Sequence, residues 1–216
     1  MTSPGSPRTE VVILAAGAGR RMGGQAKCLL EFEGRSILER LVHDVHQSLQ
    51  QTPILVLGHH ASKIQAHLAK WPANMVPFQL VNPAPQDDTT SSLLVALRAM
   101  KEDVQAVMVL LADQPLIDAA DIDAVMTAFK GRAPGYKLLV PMVNGVPGHP
   151  VIFDATVRAD LLTGSRSSLR QWRAMSPQAT LSWVVENGHY TRDLDTPQDV
   201  DAFRQETGWS INRKRG

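Results

Sequence analysis

Residues 106–111 read Ala-Val-Met-Val-Leu-Leu, apolar at every position. A strand tolerates such a run only where both of its faces are covered, which is the situation of a central strand in a parallel sheet. Strand and helix patterns alternate around it. Residues 11–15 form a short apolar run rich in β-branched side chains, which predicts a buried first strand. Ser36-Ile37-Leu38-Glu39 has the form of a capping box, and Ile37, Leu38, Leu41, Val42, Val45 and Leu49 then recur at helical spacing. Residues 54–57 and 78–81 predict two further strands, and residues 61–70 a helix. Ser91 or Ser92 is placed to cap a helix carrying Leu93, Leu94, Leu97 and Met100; Asp118 is placed to cap one carrying Ile122, Val125, Met126 and Phe129. Later strands are expected at 138–140, 151–153 and 181–185. Pro197 opens the last helix behind a Thr196 cap. Alternation over the first 130 residues predicts a mostly parallel sheet with helices on both faces, and the irregular second half predicts strands added at one edge.

The chain has 216 residues, 44% of them apolar, enough for one well-buried α/β domain. That domain is expected over residues 10–207, with tails at 1–9 and 208–216. The formal net charge is +1 and the charges are scattered. The basic stripe of a dedicated nucleic-acid binder is missing. One cysteine, Cys28, excludes an internal disulfide framework and a cysteine-built zinc site, and it fits a reducing compartment. No apolar run has the length of a membrane span, and residues 1–9 lack the apolar core of a signal peptide. The expected location is the cytoplasm.

Chemistry concentrates first in Leu14-Ala15-Ala16-Gly17-Ala18-Gly19-Arg20-Arg21-Met22-Gly23-Gly24-Gln25-Ala26-Lys27, directly after the first strand. In an open α/β sheet ligands bind at the carboxyl ends of strands. Glycines let backbone N–H groups approach an anion, and Arg20, Arg21 and Lys27 add positive charge. Successive phosphates of a nucleoside triphosphate need both. The dinucleotide fingerprint does not fit, because Gly17-x-Gly19-x-x leads to Met22. The P-loop does not fit either, because Gly24 precedes Gln25 and Lys27 precedes Cys28.

Asp113 follows the central run, in Ala112-Asp113-Gln114-Pro115. A carboxylate at the mouth of a buried strand is costly unless paired, and Mg²⁺ held by carboxylates and phosphate oxygens is one such partner. An Asp opening the turn before Pro115 is the alternative. Asp193 and Asp195 alternate, so an extended segment would point both the same way. Asp199 stands three after Thr196 and completes a cap. His43 and His46 read as a solvated helix face, His59 and His60 as a loop after a strand, and Cys28 as packing.

The run L-A-A-G-x-x-x-R-M-G-G-x-x-K resembles the signature of the MobA-like nucleotidyltransferases, which include molybdenum cofactor cytidylyl- and guanylyltransferases, over about residues 11–203. The resemblance implies a Rossmann-like three-layer fold with a mostly parallel mixed sheet, of the nucleotide-diphospho-sugar transferase type. It implies that Gly17, Arg21 and Lys27 contact phosphates, with Leu14, Gly19, Arg20 and Gly23 completing the loop. Ala15 and Ala16 would lie near the base, and their A-A-G form resembles the CTP-using branch. Ala112-Asp113-Gln114-Pro115 is similar to the family's A-D-Q-P metal motif. Residues 193–199 are similar to its D-x-D-T-P-x-D, with Asp195 favoured over Asp193 as a second ligand. Residues 145–151 are similar to G-x-x-G-H-P-V, which puts His149 on the acceptor side. Asn82, Ser91 and Ser92 would face the nucleotide, although Asp88-Thr89-Thr90 stands where relatives more often carry glycine. Residues 162–168 depart from the G-D-x-G-x-R of the cytidylyltransferases. The implied activity is Mg²⁺-dependent transfer of CMP from CTP to a phosphorylated acceptor such as molybdopterin, with room for docking to a molybdoenzyme or its chaperone. Alternatives are GTP or a sugar or polyol phosphate as substrate, or a nucleotide-binding regulator without turnover.

Overall fold

The computed structural model describes residues 8–85, 89–209 and the backbone of 211–212. Strand β1 (Thr9–Ala15) starts before its apolar run because Thr9 and Glu10 pair with Ala106 and Val107. Two short antiparallel strands, β2 (Glu31–Phe32) and β3 (Arg35–Ser36), lead into helix α1 (Ile37–Leu49). The Ser36 hydroxyl accepts the Glu39 N–H at 3.1 Å, and the helix buries Ile37, Leu38, Leu41, Val42 and Val45. Then come β4 (Ile54–Leu57), α2 (Ala61–Leu68), β5 (Phe78–Val81), α3 (Thr90–Ala99) and β6 (Ala106–Leu111). Helix α3 begins earlier than expected, with Thr89 at its cap. Ser91 and Ser92 fall inside its first turn because their hydroxyls accept from Asn82 Nδ2, at 3.1 and 3.0 Å.

Helix α4 (Ala119–Lys130) opens on a reciprocal capping box of Asp118 and Asp121. The second half adds β7 (Leu138–Val143), β8 (Val146–Pro147), β9 (Val151–Asp154), α5 (Ala155–Thr163), α6 (Leu169–Met175) and β10 (Thr180–Val184). Helix α7 (Pro197–Thr207) opens on a second box, Thr196 with Asp199, and β11 (Ile211–Asn212) follows.

Among the described residues the main sheet has the order β10-β7-β9-β6-β1-β4-β5, with β8 paired to β7. Strands β6, β1, β4 and β5 run parallel, and β9 runs antiparallel between β6 and β7. The strand period of two sorts the core into two layers. Val11, Ile13, Leu55 and Met108 pack with α1 and α4, whereas Val12, Leu14, Val56 and Val109 pack with α3 and α5. The result is a three-layer α/β fold with a mostly parallel mixed sheet.

A third, smaller cluster joins Met22, Leu30, Phe32, Leu194, Val200 and Phe203. It changes the reading of residues 208–216 as a tail. Trp209 packs edge-on to Phe203 with centroids 5.5 Å apart, the Arg40 guanidinium lies 4.5 Å over its ring, and Ile211–Asn212 pair with β2. An apolar indole gains more against this cluster than in water. At the other end Thr9 belongs to β1, Arg8 pairs with Asp103 at 2.6 Å and Glu10 at 3.1 Å, and residues 1–7 of that expected tail lie outside the described residues.

From β1 the chain builds outward through β4 and β5, and α3 then carries it back to β6 on the other side of β1. Strand order reverses between β1 and β6, and at such a point the carboxyl ends of two parallel strands open a crevice.

Candidate active site

The glycine-rich loop leaves β1 at that crevice. Its shape is fixed by Gly19, whose φ is +61° and whose Cβ, if it had one, would lie 2.1 Å from the Gln25 carbonyl oxygen. The N–H groups of Met22 and Gly24 both donate to Gly19 O at 2.9 Å, and buried Met22 anchors the loop in the third cluster. Gly17 differs: a Cβ there would meet nothing within 4 Å, so its small size leaves room in the cleft. Gly19→Ala is therefore expected to cost about 2 kcal/mol or more through strain and overlap, lowering Tm by roughly 5 °C, while Gly17→Ala leaves Tm nearly unchanged. Thermal melts of the two variants check this, and equal Tm values would contradict it.

Lys27, at the far end of the loop, reaches the opposite wall. Its Nζ donates to Asp113 Oδ2 at 2.6 Å and to Asp195 Oδ1 at 2.7 Å. Arg21 Nη2 donates to Asp195 Oδ2 at 2.8 Å. The Leu194 N–H donates to Asp113 O at 3.1 Å and so clips the 193–195 run onto the turn after β6. The Lys27 side chain is only 16% exposed. Burial works against its charge, but Asp113 and Asp195 outweigh burial and hold its pKa above the ordinary lysine value. Burial likewise opposes ionisation of Asp195, but Lys27 and then Arg21 pull that carboxyl below the usual range. Asp193 is pushed up to about 6, first by withdrawal of its carboxyl from water and then by the Asp113 charge.

Arg21, Lys27, Asp113 and Asp195 border a cleft of about 450 Å³, a volume suited to a nucleotide-sized ligand. Leu14, Ala15, Ala16, Gly17 and Gly19 line it from the loop, with Arg20, Arg21 and Lys27 as its cations. Asp113, Asp195 and Ser92 line the facing side. Gly23, Asn82, Ser91, His149 and Asp193 do not line it. Asn82 is 5% exposed and braces the start of α3 from behind, its Oδ1 accepting the Ala84 N–H at 3.0 Å. Asp88 lies outside the described residues. Thr89, Ile64 and His60 also line the cleft. The two histidines after β4 read as an ordinary loop, yet His59 Nδ1 lies 3.1 Å from Ala16 O and His60 Nε2 3.0 Å from Ala18 O. Cys28 borders the cleft too, but burial pushes its thiol up to about 12, so it is an inert packing group near neutral pH.

His149 lies within reach of the Asp113 charge. Its N–H donates to Tyr190 O at 2.9 Å, and Gly148 must be glycine because a Cβ there would lie 2.3 Å from the same oxygen. Burial pushes the ring down to about 4, against the pull of the Asp113 charge. The folded chain thus keeps His149 neutral where the unfolded chain protonates it, so stability falls as pH drops from about 6.5 towards 4. His149→Gln should flatten this part of the stability–pH curve in denaturant titrations; curves of identical slope would contradict it.

The donor chemistry at the cleft suits a hard cation: Asp113 and Asp195 offer carboxylate oxygens where phosphate oxygens would join them, with Asp193 close by. Another acidic group, Asp118, Asp121 and His189, brings its ligand atoms within 4.8 Å of one another. There Asp121 already accepts from Asn187 Nδ2 at 2.6 Å and lies 2.8 Å from His189 Nδ1, so the set braces α4 against the 187–190 turn. Among the described residues no helix is long and apolar enough to cross a membrane.

Comparison with known proteins fits this geometry. A family model described as a MobA-like NTP transferase domain matches residues 11–181. Nicotine blue oxidoreductase of Paenarthrobacter nicotinovorans is 27% identical over 203 residues, covering 90% of this chain and 92% of its own. A 2-C-methyl-D-erythritol 4-phosphate cytidylyltransferase of Frankia casuarinae is 31% identical over 196 residues, covering 90% and 69%. The chain spans 27–36% of the length of the bifunctional GlmU proteins it also matches. Among solved structures, Rv0371c of Mycobacterium tuberculosis H37Rv superposes with a TM-score of 0.75 at 22% identity, covering 95% of this chain and 100% of that one. At that identity the likeness shows the fold.

Proposed function

The chain belongs to the MobA-like NTP transferase family, and from that premise we propose that it moves a nucleoside monophosphate, CMP from CTP in the favoured case, onto a small phosphorylated acceptor. Nucleotidyl transfer is the reaction class of the family, and a structural neighbour, Rv0371C of Mycobacterium tuberculosis H37Rv, forms a complex with manganese. The observation that carries the reading is the convergence of Lys27, Asp113 and Asp195 at the mouth of a cleft walled by a glycine-rich loop.

In the proposed reaction the triphosphate lies along residues 17–21, and Arg20, Arg21 and Lys27 neutralise it. Ala15 and Ala16 lie beside the base. An oxygen of the acceptor phosphate attacks the α-phosphorus in line, a new P–O bond forms, and the bond to the bridging oxygen breaks. Pyrophosphate leaves with that electron pair. Asp113 and Asp195 would hold Mg²⁺, which when bound supplies charge neutralisation at the α-phosphate and the leaving group. Lys27 stabilises the same charge from the loop side, and catalysis is positioning plus electrostatics, without a covalent enzyme intermediate.

A molybdopterin-type acceptor is the leading assignment, with docking to a molybdoenzyme or its chaperone as its natural consequence. A polyol or sugar phosphate is the second reading. It is favoured by the departure at residues 162–168 and by the 31% identity to a methylerythritol phosphate cytidylyltransferase. The proposed setting is the cytoplasm. Pyrophosphate release from each of the four common NTPs, with Mg²⁺ and each acceptor class, tests the proposal. CTP-selective release with molybdenum cofactor supports the first reading, and release with a polyol phosphate the second. Binding of NTP without release under any acceptor contradicts both.

A further inference from the structure

We propose that His60, seconded by His59, is a positioning residue that turns the backbone of the glycine-rich loop into its phosphate-binding orientation. The proposal rests on the reading of that loop as the triphosphate cradle.

The two histidines stand 42 and 43 positions along the chain from the alanines they touch. A carbonyl oxygen only accepts, so the ring nitrogen facing each one carries the hydrogen: Nδ1 in His59 and Nε2 in His60. The His59 backbone N–H donates to Ala16 O as well, at 3.3 Å. Gly58 presses the same turn against the loop, since a Cβ there would lie 2.6 Å from Ala16 O. The carbonyls of Ala16 and Ala18 are therefore both held towards the turn between β4 and α2.

In a trans peptide the carbonyl and the next N–H point to opposite sides of the chain. Fixing Ala16 O and Ala18 O on the histidine side turns the N–H groups of Gly17 and Gly19 the other way. Neither N–H donates to any other described residue, and Gly17 opens onto unfilled space. Backbone N–H groups turned out of the loop in this way offer donors to an anion. Without its imidazole partner, the Ala18 carbonyl is free to rotate, and a carbonyl oxygen facing a phosphate repels it. The role is thus to favour triphosphate binding, with little bearing on the acceptor.

The test uses the full chain with Mg²⁺ and measures dissociation constants for CTP, GTP and inorganic tripolyphosphate by calorimetry, alongside kcat and Tm. His60→Ala should weaken CTP and tripolyphosphate alike by about tenfold, the scale of one lost hydrogen bond, while kcat falls far less. His60→Gln, which restores an N–H donor, should recover affinity to within about threefold of wild type. Three results overturn the proposal: unchanged affinity in His60→Ala; a loss for CTP without a loss for tripolyphosphate; or a loss that tracks a fall in Tm and is not restored by Gln. The first of these, seen while the wild type binds CTP, removes only this role. A wild-type chain that binds none of the three probes removes the proposed function with it.

Discussion

Lys27→Ala lowers the rate of pyrophosphate release by a factor on the order of 10²–10³, the scale for removing one preorganised charge donor from a transition state. The expectation follows from where Nζ sits: at 2.6 Å from Asp113 and 2.7 Å from Asp195, it is already at the junction of the loop and the carboxylates. A triphosphate entering the cleft meets that ammonium without a rearrangement of the fold. Lys27 is held protonated well above neutral pH, so its charge is present throughout the useful range. The substitution also leaves Asp113, 23% exposed, and Asp195 facing each other without their shared cation, so Tm should fall as well. Steady-state pyrophosphate release separates the two effects when measured below the variant's melting range. Turnover near the wild-type rate would show that Lys27 takes no part in the chemistry.

Asp113→Asn removes a full charge at nearly constant shape and is expected to reduce turnover at saturating Mg²⁺ by 10³ or more, on the order seen when a charged group of a catalytic unit is lost. Asp113 follows β6 at the reversal of strand order and is clipped in place through Leu194. Because Lys27 and Asp113 act as one unit, the double variant should be little slower than the slower single one. The apparent affinity for Mg²⁺, read from metal titrations of Asp113→Asn, should weaken in parallel. A variant with a normal rate and an unchanged metal titration would place the metal elsewhere. The Asp118–Asp121–His189 group would then be the first site to substitute.

What could be read from the sequence had local signals. The apolar run at 106–111 announced a central strand, and an acid two residues past its end was therefore at a sheet mouth. Glycines and three cations directly after the first strand marked the facing wall. The topology rule for open α/β sheets then brought Lys27 and Asp113 to one crevice, and the structure places them in contact. Asp195 was separable from Asp193 only narrowly; the structure turns Asp195 into the cleft, while Asp193 stays outside it.

The roles that stayed hidden depend on tertiary contacts without a local pattern. His59 and His60 look like an ordinary polar loop until β4 is set beside β1, which brings their rings onto the loop carbonyls. Trp209 looked like part of a tail because two of its partners, Phe32 and Arg40, come from a segment far back in the chain. The cap of α3 shifted to Thr89 because Asn82, seven residues earlier in a separate segment, engages both serines.

A crystal structure of the chain with a non-hydrolysable CTP analogue and Mg²⁺ bears on the whole reading at once. The expected result is a triphosphate along residues 17–21 in contact with Lys27, a metal ion on Asp113 and Asp195, and the base beside Ala15 and Ala16. A nucleotide bound outside the β1–β6 crevice, or a metal ion that leaves Asp113 untouched, would contradict it.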